Sequence, residues 1–379
     1  MSRSAAARIV VTGGEYAAGL ALLRAVRAGG DEPIAAVTHP TALAASSRSA
    51  HAVELVPEAS REPARFVTEL GAVARRHAAV AVLPGTEPVL RALAHHRRQL
   101  PEDLVVGCPP AEIVDRVLDK GALEEIAAAG GLRTPPTRVI DADRAREWDD
   151  GFPAVVKPVA SHVQLADGTM QYQTVVSPAD HDELVAALRA LPGERGLVQP
   201  FLVGRQRTVD GLAWEGEVVA IAQKRGDRTW PRDCGVLSYG RIVVSDADLE
   251  HRCRQMIAEL GWSGLFNLQF LEVPRGRFLI DFNPRAWNSL AVQVDAGANM
   301  PAAWVDLLLG RPVRPAVPRL GRRFRAEIED ARSLLAAWQE GNRMETVRGV
   351  LPRPGTSHAI FSWSDPLPAL RRVQQGGFR

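Results

Sequence analysis

Apolar and polar residues alternate along this chain in two regimes. From residue 8 to about 108, short apolar runs read as strands at 8–12, 33–38, 51–56 and 78–83. Helical segments at 16–28 and 62–77 separate them. That alternation predicts a parallel sheet covered by helices on both faces. A single helix is predicted over 111–130, ending in Gly130-Gly131, and Thr134-Pro135-Pro136 then breaks the chain. Beyond it come a strand at 152–159, a helix at 180–191 and a strand at 196–201. Residues 205–290 read as a larger, mainly antiparallel sheet interrupted by a helix at 246–260, and a last helix starts near 301. The expected division is a Rossmann-like unit over 1–108, a catalytic unit over 109–310 with a strand-rich lid at about 135–200, and a modest Pro- and Arg-rich appendage over 311–379. The fold class is α/β at the N-terminus and α+β in the catalytic part.

The most informative stretch is a hairpin. Phe266-Asn267-Leu268-Gln269-Phe270-Leu271 forms one arm and Phe278-Leu279-Ile280-Asp281-Phe282-Asn283 the other, with Pro274-Arg275-Gly276 as the turn. Asp281 and Asn283 are two apart and share a strand face. With Gln269 opposite them, three oxygen-bearing side chains converge on an otherwise apolar hairpin. Magnesium takes such hard oxygen ligands, completed by water and phosphate. Arg285, two residues further, adds a permanent cation suited to a phosphoryl group in transit.

Composition narrows the function classes. The 379 residues are 46% hydrophobic and 24% charged, with a formal charge of +2. No clustered basic stripe points to nucleic acid; the Arg-rich stretch 314–325 reads as a solvated surface segment. No run approaches membrane-spanning length, and the chain opens directly into a strand without a secretory pattern. Cys108, Cys234 and Cys253 fit neither a disulfide framework nor a zinc site, which suits a reducing cytoplasm. Only three of the 46 basic residues are lysine, Lys120, Lys157 and Lys224. In a chain that otherwise uses arginine, they are candidates for sites that need a compact ammonium, such as a phosphate oxygen in a tight space. Thr12-Gly13-Gly14 reads as a tight strand-to-helix turn. Thr12, Gly13 and Glu87 stand at the carboxyl ends of strands, where ligands of such sheets bind; for Glu87 a helix cap is the competing role.

In this order the residues resemble the ATP-grasp superfamily, within it the carboxylate–amine ligase and carbamoyl-phosphate-synthetase-like branch. The resemblance covers roughly 5–310 and rests on Asp119-Lys120, on Pro153-Ala154-Val155-Val156-Lys157-Pro158, on Leu197-Val198-Gln199-Pro200-Phe201-Leu202 with Gly204, on Gln269, and most specifically on Asp281-Phe282-Asn283-Pro284-Arg285. It implies ATP between two lobes. Lys120 and Lys157 would reach the phosphates, Lys224 would face phosphate or the substrate acid, and 199–202 would be the adenine hinge. There Gln199 and the Leu202 N–H meet the base, while Pro200 can only accept. Gln269, Asp281 and Asn283 would hold two magnesium ions.

Three departures from the common pattern stand out. Gln199 replaces a glutamate, the lid loop 161–168 with Ser161, His162 and Gly168 is glycine-poor, and the metal set has neutral Gln269 and the shorter Asp281. The implied reaction activates a carboxylate as an acyl phosphate and transfers it to an amine, with amino acids or their derivatives as partners. Arg285 and Lys157 are its catalytic cations. Activation of bicarbonate, or nucleotide binding without turnover, are the alternatives. Asn288 and Ser289 are candidates to touch the acid. Trp214, Trp230, Trp262 and Trp287 lie near the expected cleft, and a homodimer through the N-terminal domain follows from the superfamily.

Overall fold

The computed structural model describes residues 5–159, 162–164, 170–172, 175–232, 235–313 and 316–374. Ser161, Gly168 and Cys234 lie outside the described residues, and so does the side chain of His162. The N-terminal region runs β1 (Arg8–Thr12), α1 (Ala17–Gly29), β2 (Glu32–Val37), β3 (Ala52–Leu55), α2 (Pro63–Arg76), β4 (Ala81–Leu83), α3 (Glu87–His96) and β5 (Val105–Val106). Its five strands are all parallel, in the order β3-β2-β1-β4-β5. The expected parallel sheet is therefore present.

The helix expected over 111–130 is instead two, α4 (Ala111–Leu118) and α5 (Leu123–Ala129). Asp119 leaves the helical path at ψ 104° and its side chain accepts from the Gly121 N–H at 2.8 Å. An aspartate that satisfies a nearby N–H competes with helix continuation. The break turns Lys120 out of the helix and toward the catalytic sheet.

The lid follows: β6 (Arg138–Asp141), β7 (Ala154–Lys157), β8 (His162–Gln164), β9 (Met170–Tyr172), α6 (His181–Arg189) and β10 (Arg195–Pro200). β6, β10 and β7 form an antiparallel sheet, and β8 pairs with β9. Asp180 caps α6 through the Asp182 and Glu183 N–H groups, both at 2.9 Å.

The large lobe contains β11 (Arg205–Trp214), β12 (Glu217–Trp230), β13 (Val236–Val243), α7 (Ala247–Leu260), β14 (Gly264–Val273), β15 (Gly276–Asn283), α8 (Leu290–Asp295) and α9 (Met300–Leu308). Gly261 ends α7 in the left-handed region at φ 64°, where a side chain would be strained. The C-terminal segment adds β16 (Arg323–Arg325), α10 (Glu327–Gln339), α11 (Arg343–Val350), β17 (Thr356–His358) and α12 (Leu367–Gln374). β16 and β17 complete a seven-stranded sheet, β15-β14-β11-β12-β13-β16-β17. The tail expected to be a modest appendage is thus built into the main sheet. Its strands were hidden because each is only three residues long and rich in arginine or polar side chains.

Two of the apolar cores run through both the N-terminal sheet and the large lobe. One joins Val10, Ile34 and Val82 to Val209, Leu268 and Phe282; the other joins Ile9 and Val11 to Leu212, Leu265 and Trp304. The lid has a core of its own around Ile140, Trp148, Val156, Leu184 and Val198. Residue 108 therefore marks a change of topology inside a shared core, whereas the lid is packed as a separate unit. Among the described residues, no helix is long and apolar enough to cross a membrane.

Candidate active site

The hairpin of β14 and β15 carries the candidate residues Gln269, Asp281 and Asn283. Its register pairs Gln269 with Asp281 and Asn267 with Asn283. Cross-strand partners of this kind stand about 5 Å apart on one face, so Gln269, Asp281 and Asn283 present their oxygens together. The same two rows continue onto β11 and β12, where Asn267 pairs with Asp210 and Thr208 stands between Gln269 and Lys224.

A cleft of about 880 Å³, counting the space open to solvent, lies between this face and the lid. Lys120, Lys157, Gln199, Leu202, Gln269 and Asp281 all line it. Lys120 Nζ lies 3.1 Å from Asp281 Oδ1, and Lys157 Nζ donates to the Ile280 carbonyl at 2.8 Å. Burial pushes the Asp281 carboxyl up, but the charges of Lys120, Lys157 and Arg285 together outweigh it and hold the group below the usual aspartate range. Gln199 Nε2 donates to Thr137 Oγ1 at 2.7 Å. That bond consumes an amide donor and leaves the Gln199 carbonyl available.

Arg285 lies beyond the end of β15. Its Nη2 donates to Asn283 Oδ1 at 3.1 Å and its Nε lies 3.3 Å from Glu87 Oε1 at the start of α3. Glu87 thus opens α3 and also faces Arg285, while Thr86 caps the helix through the Val89 N–H. Thr12 has a structural part. It is buried, donates to the Leu83 carbonyl at 3.0 Å and accepts from the Gly85 N–H at 2.9 Å. Only glycine fits at 85, because a Cβ there would lie 2.1 Å from the Thr12 carbonyl oxygen.

Lys224 does not line the cleft. It is 0% exposed, 2.6 Å from Asp210 Oδ2 and 2.6 Å from Ser289 Oγ, with its ammonium 5.5 Å from the centre of the Trp287 ring. Burial pulls its ammonium below the usual lysine range, and the Asp210 carboxylate opposes that. The expected contact with phosphate or substrate acid is replaced by an internal ion pair. β12 carries Lys224 beside Thr208, and α8 then covers it. Ser289, a candidate for touching the acid, is held in the same place. Trp262 and Trp287 are core side chains.

Several residues of the site went unnoticed in the sequence. Asn267 and Asp210 sit behind the oxygen set, and Gln206 Nε2 approaches Gln269 Oε1 at 3.5 Å. Asn267 carried a readable signal: it is two residues before Gln269, the same spacing as Asp281 to Asn283.

The oxygen set, one carboxylate and two amide oxygens, fits a hard divalent cation. Among the described residues, no group of three His, Cys, Asp or Glu side chains could hold a metal. Neither described cysteine is poised as a nucleophile. Burial pushes the Cys108 thiol up to about 12, against an opposing pull from Arg97, and pushes Cys253 up as well, with Glu250 adding to it.

Residues 194–330 match the family model described as ATP-grasp in the biosynthetic pathway with Ter operon. No curated protein matches the sequence. Among solved structures, the fold is similar to N5-carboxyaminoimidazole synthetase from Staphylococcus aureus (TM-score 0.65, 11% identity, 89% of this chain and 86% of that chain). Biotin carboxylase from Campylobacter jejuni, solved as a complex with β-γ-ATP, gives a TM-score of 0.64 at 14% identity over 83% of this chain and 74% of that one. L-amino acid ligase from Bacillus licheniformis gives 0.59 at 16% identity, covering 81% and 75%.

Proposed function

Because residues 194–330 match an ATP-grasp family model, we propose that the chain is an ATP-dependent carboxylate–amine ligase. It joins a carboxylate to an amine through an acyl phosphate, with release of ADP and phosphate. The observation that carries this reading is the convergence of Gln269 and Asp281 with Lys120 and Lys157 on one cleft whose other wall is the lid, with Asn283 next to them on the same hairpin. Gln269, Asp281 and Asn283 would hold magnesium, which when bound would supply charge neutralisation at the phosphates.

The chain's own residues do the rest by alignment and charge. The Leu202 N–H and the Gln199 carbonyl bind the base. Lys120 and Lys157 move from Asp281 and the Ile280 carbonyl onto phosphate oxygens. A carboxylate oxygen of the acid attacks the γ-phosphorus, and the bond to the ADP oxygen breaks. Arg285, held by Glu87, stabilises the charge on the phosphoryl oxygens. The amine nitrogen then attacks the acyl carbon, phosphate leaves, and the amine's proton passes to solvent. The lid, with its separate core, closes over the cleft and keeps water from the acyl phosphate. Amino acids or their derivatives are the proposed partners.

The test is a screen of amino acids in pairs with phosphate release as readout, repeated with bicarbonate alone. Release that needs an acid and an amine together is expected, and Asp281→Asn should lower it by about 100-fold or more, the scale of several kcal/mol of charge stabilisation. Release that depends on bicarbonate makes the chain a carboxylase. An unchanged rate in Asp281→Asn removes the metal assignment.

A further inference from the structure

Asn267 stands between the candidate amide ligands and a buried ion pair. Its Nδ2 donates to Asp210 Oδ1. Its Oδ1 accepts from Asn283 Nδ2 at 3.2 Å and, at a longer 3.4 Å, from Gln269 Nε2. The direction of these bonds follows from chemistry. A carboxylate can only accept, so Asn267 must turn its NH2 group toward Asp210. Its carbonyl then faces Asn283 and Gln269, and each of those amides must offer its own NH2 group. The atoms left to point away from Asn267 are the two carbonyl oxygens, of which Gln269 Oε1 has Gln206 Nε2 at 3.5 Å. Asn283 Oδ1 already draws Arg285 Nη2. An amide turned the other way would aim N–H at a cation.

Asp210 is itself held on every side. Lys224 Nζ and Gln293 Nε2 each lie 2.6 Å from its Oδ2, and Thr208 Oγ1 lies 3.2 Å away. Asp210, Lys224 and Gln293 are all 0% exposed. A charge pair sealed from water is weak evidence for stability, since well-packed apolar residues of similar volume often serve as well. An acceptor-only group at this position has a different use, because it fixes the polarity of everything beyond it. Resting on the metal assignment above, we propose that Asp210 and Asn267 are positioning residues. Asp210, compensated by Lys224, sets the orientation of Asn267, which turns the amide oxygens of Gln269 and Asn283 toward the divalent-cation site.

Binding of Mn2+ with ADP, followed by the electron paramagnetic resonance of free Mn2+, tests this on the full chain. Three variants are compared: Asn267→Leu, the neutral isosteric double Asp210→Asn/Lys224→Met, and the conservative Asp210→Glu. In the first two, Mn2+ affinity in the presence of ADP is expected to fall by about tenfold or more, the usual cost of losing an outer-shell partner. The affinity for ADP without metal should stay within about twofold, as the hinge is untouched. Asp210→Glu keeps an acceptor-only group and should recover most of the loss. Wild-type Mn2+ affinity in whichever of the first two variants folds overturns the proposal and leaves the network structural. A variant that unfolds is replaced in the comparison by the other. If the wild-type protein itself binds no Mn2+ with ADP, the metal assignment fails first, which is a separate result.

Discussion

Lys120 Nζ lies 3.1 Å from Asp281 Oδ1, so a cation of the chain itself sits on the carboxylate proposed to hold metal. The contact spans 161 residues and depends on the break between α4 and α5. If Asp281 holds metal as proposed, this contact would couple metal to nucleotide. A divalent ion reaching Asp281 must first displace Lys120, and triphosphate offers Lys120 a better partner. Lys120→Gln is expected to tighten Mn2+ binding to the nucleotide-free protein by about tenfold, the worth of one charged hydrogen bond of about 1.5 kcal/mol. The same change should weaken ATP binding. Calorimetric titration of each ligand alone checks both. Unchanged Mn2+ affinity would show that the ion pair does not guard the site.

The lowered pKa of the Asp281 carboxyl has a consequence for stability. Its carboxyl, near 3.9 in an unfolded chain, titrates lower in the fold. The sign follows: the stabilisation is complete above about pH 4 and is lost as the pH falls through the folded value. Asp281→Asn removes it. The difference in melting temperature between wild type and variant should be constant above about pH 5 and shrink below about pH 4. A gap that stays constant down to pH 3 would contradict this.

Glu87 and Arg285 join the N-terminal sheet to the catalytic strand across 198 residues. Glu87→Gln keeps the shape and removes the charge that holds Arg285. We expect kcat to fall about tenfold with the KM for ATP nearly unchanged, because Glu87 touches the phosphoryl-side cation and lies away from the hinge. A rise in KM at constant kcat would place Glu87 in ground-state binding instead.

Asp365 helps to pin the C-terminal segment to the N-terminal region. Asp365, 2% exposed, accepts from Arg24 Nε at 2.9 Å, from the Arg48 N–H at 2.9 Å and from the Ser47 hydroxyl. Arg24 also donates to the Ile360 and Asp365 carbonyls, both at 2.8 Å. Asp365→Ala removes the carboxylate that compensates the Arg24 charge and leaves Arg24 only backbone carbonyls, which should cost about 3 kcal/mol in urea unfolding. Cleavage by added protease should begin in the last 20 or so residues, the part this anchor holds. A loss below about 1 kcal/mol would mean the anchor is redundant.

Local pattern was enough to read the parallel sheet, the hairpin and the shared face of Asp281 and Asn283. Alternation of period two is a property of a strand wherever it lies, and glycine, proline and aspartate mark its ends. The same signal would have picked out Asn267, two places from Gln269, had polar spacing been followed along both arms. What the sequence could not decide depended on neighbours distant in the chain. Lys224 reads as a phosphate cation until β11 brings Asp210 beside it and α8 covers both. Arg285 reads as a strand cation until Glu87 arrives from the first hundred residues. β16 and β17 are too short to be recognised; β16 exists because the edge of β13 offers hydrogen bonds, and β17 because β16 then offers its own. Each of these outcomes is a pairing, and a pairing is fixed by which surfaces the fold brings together, not by either partner's own stretch of chain.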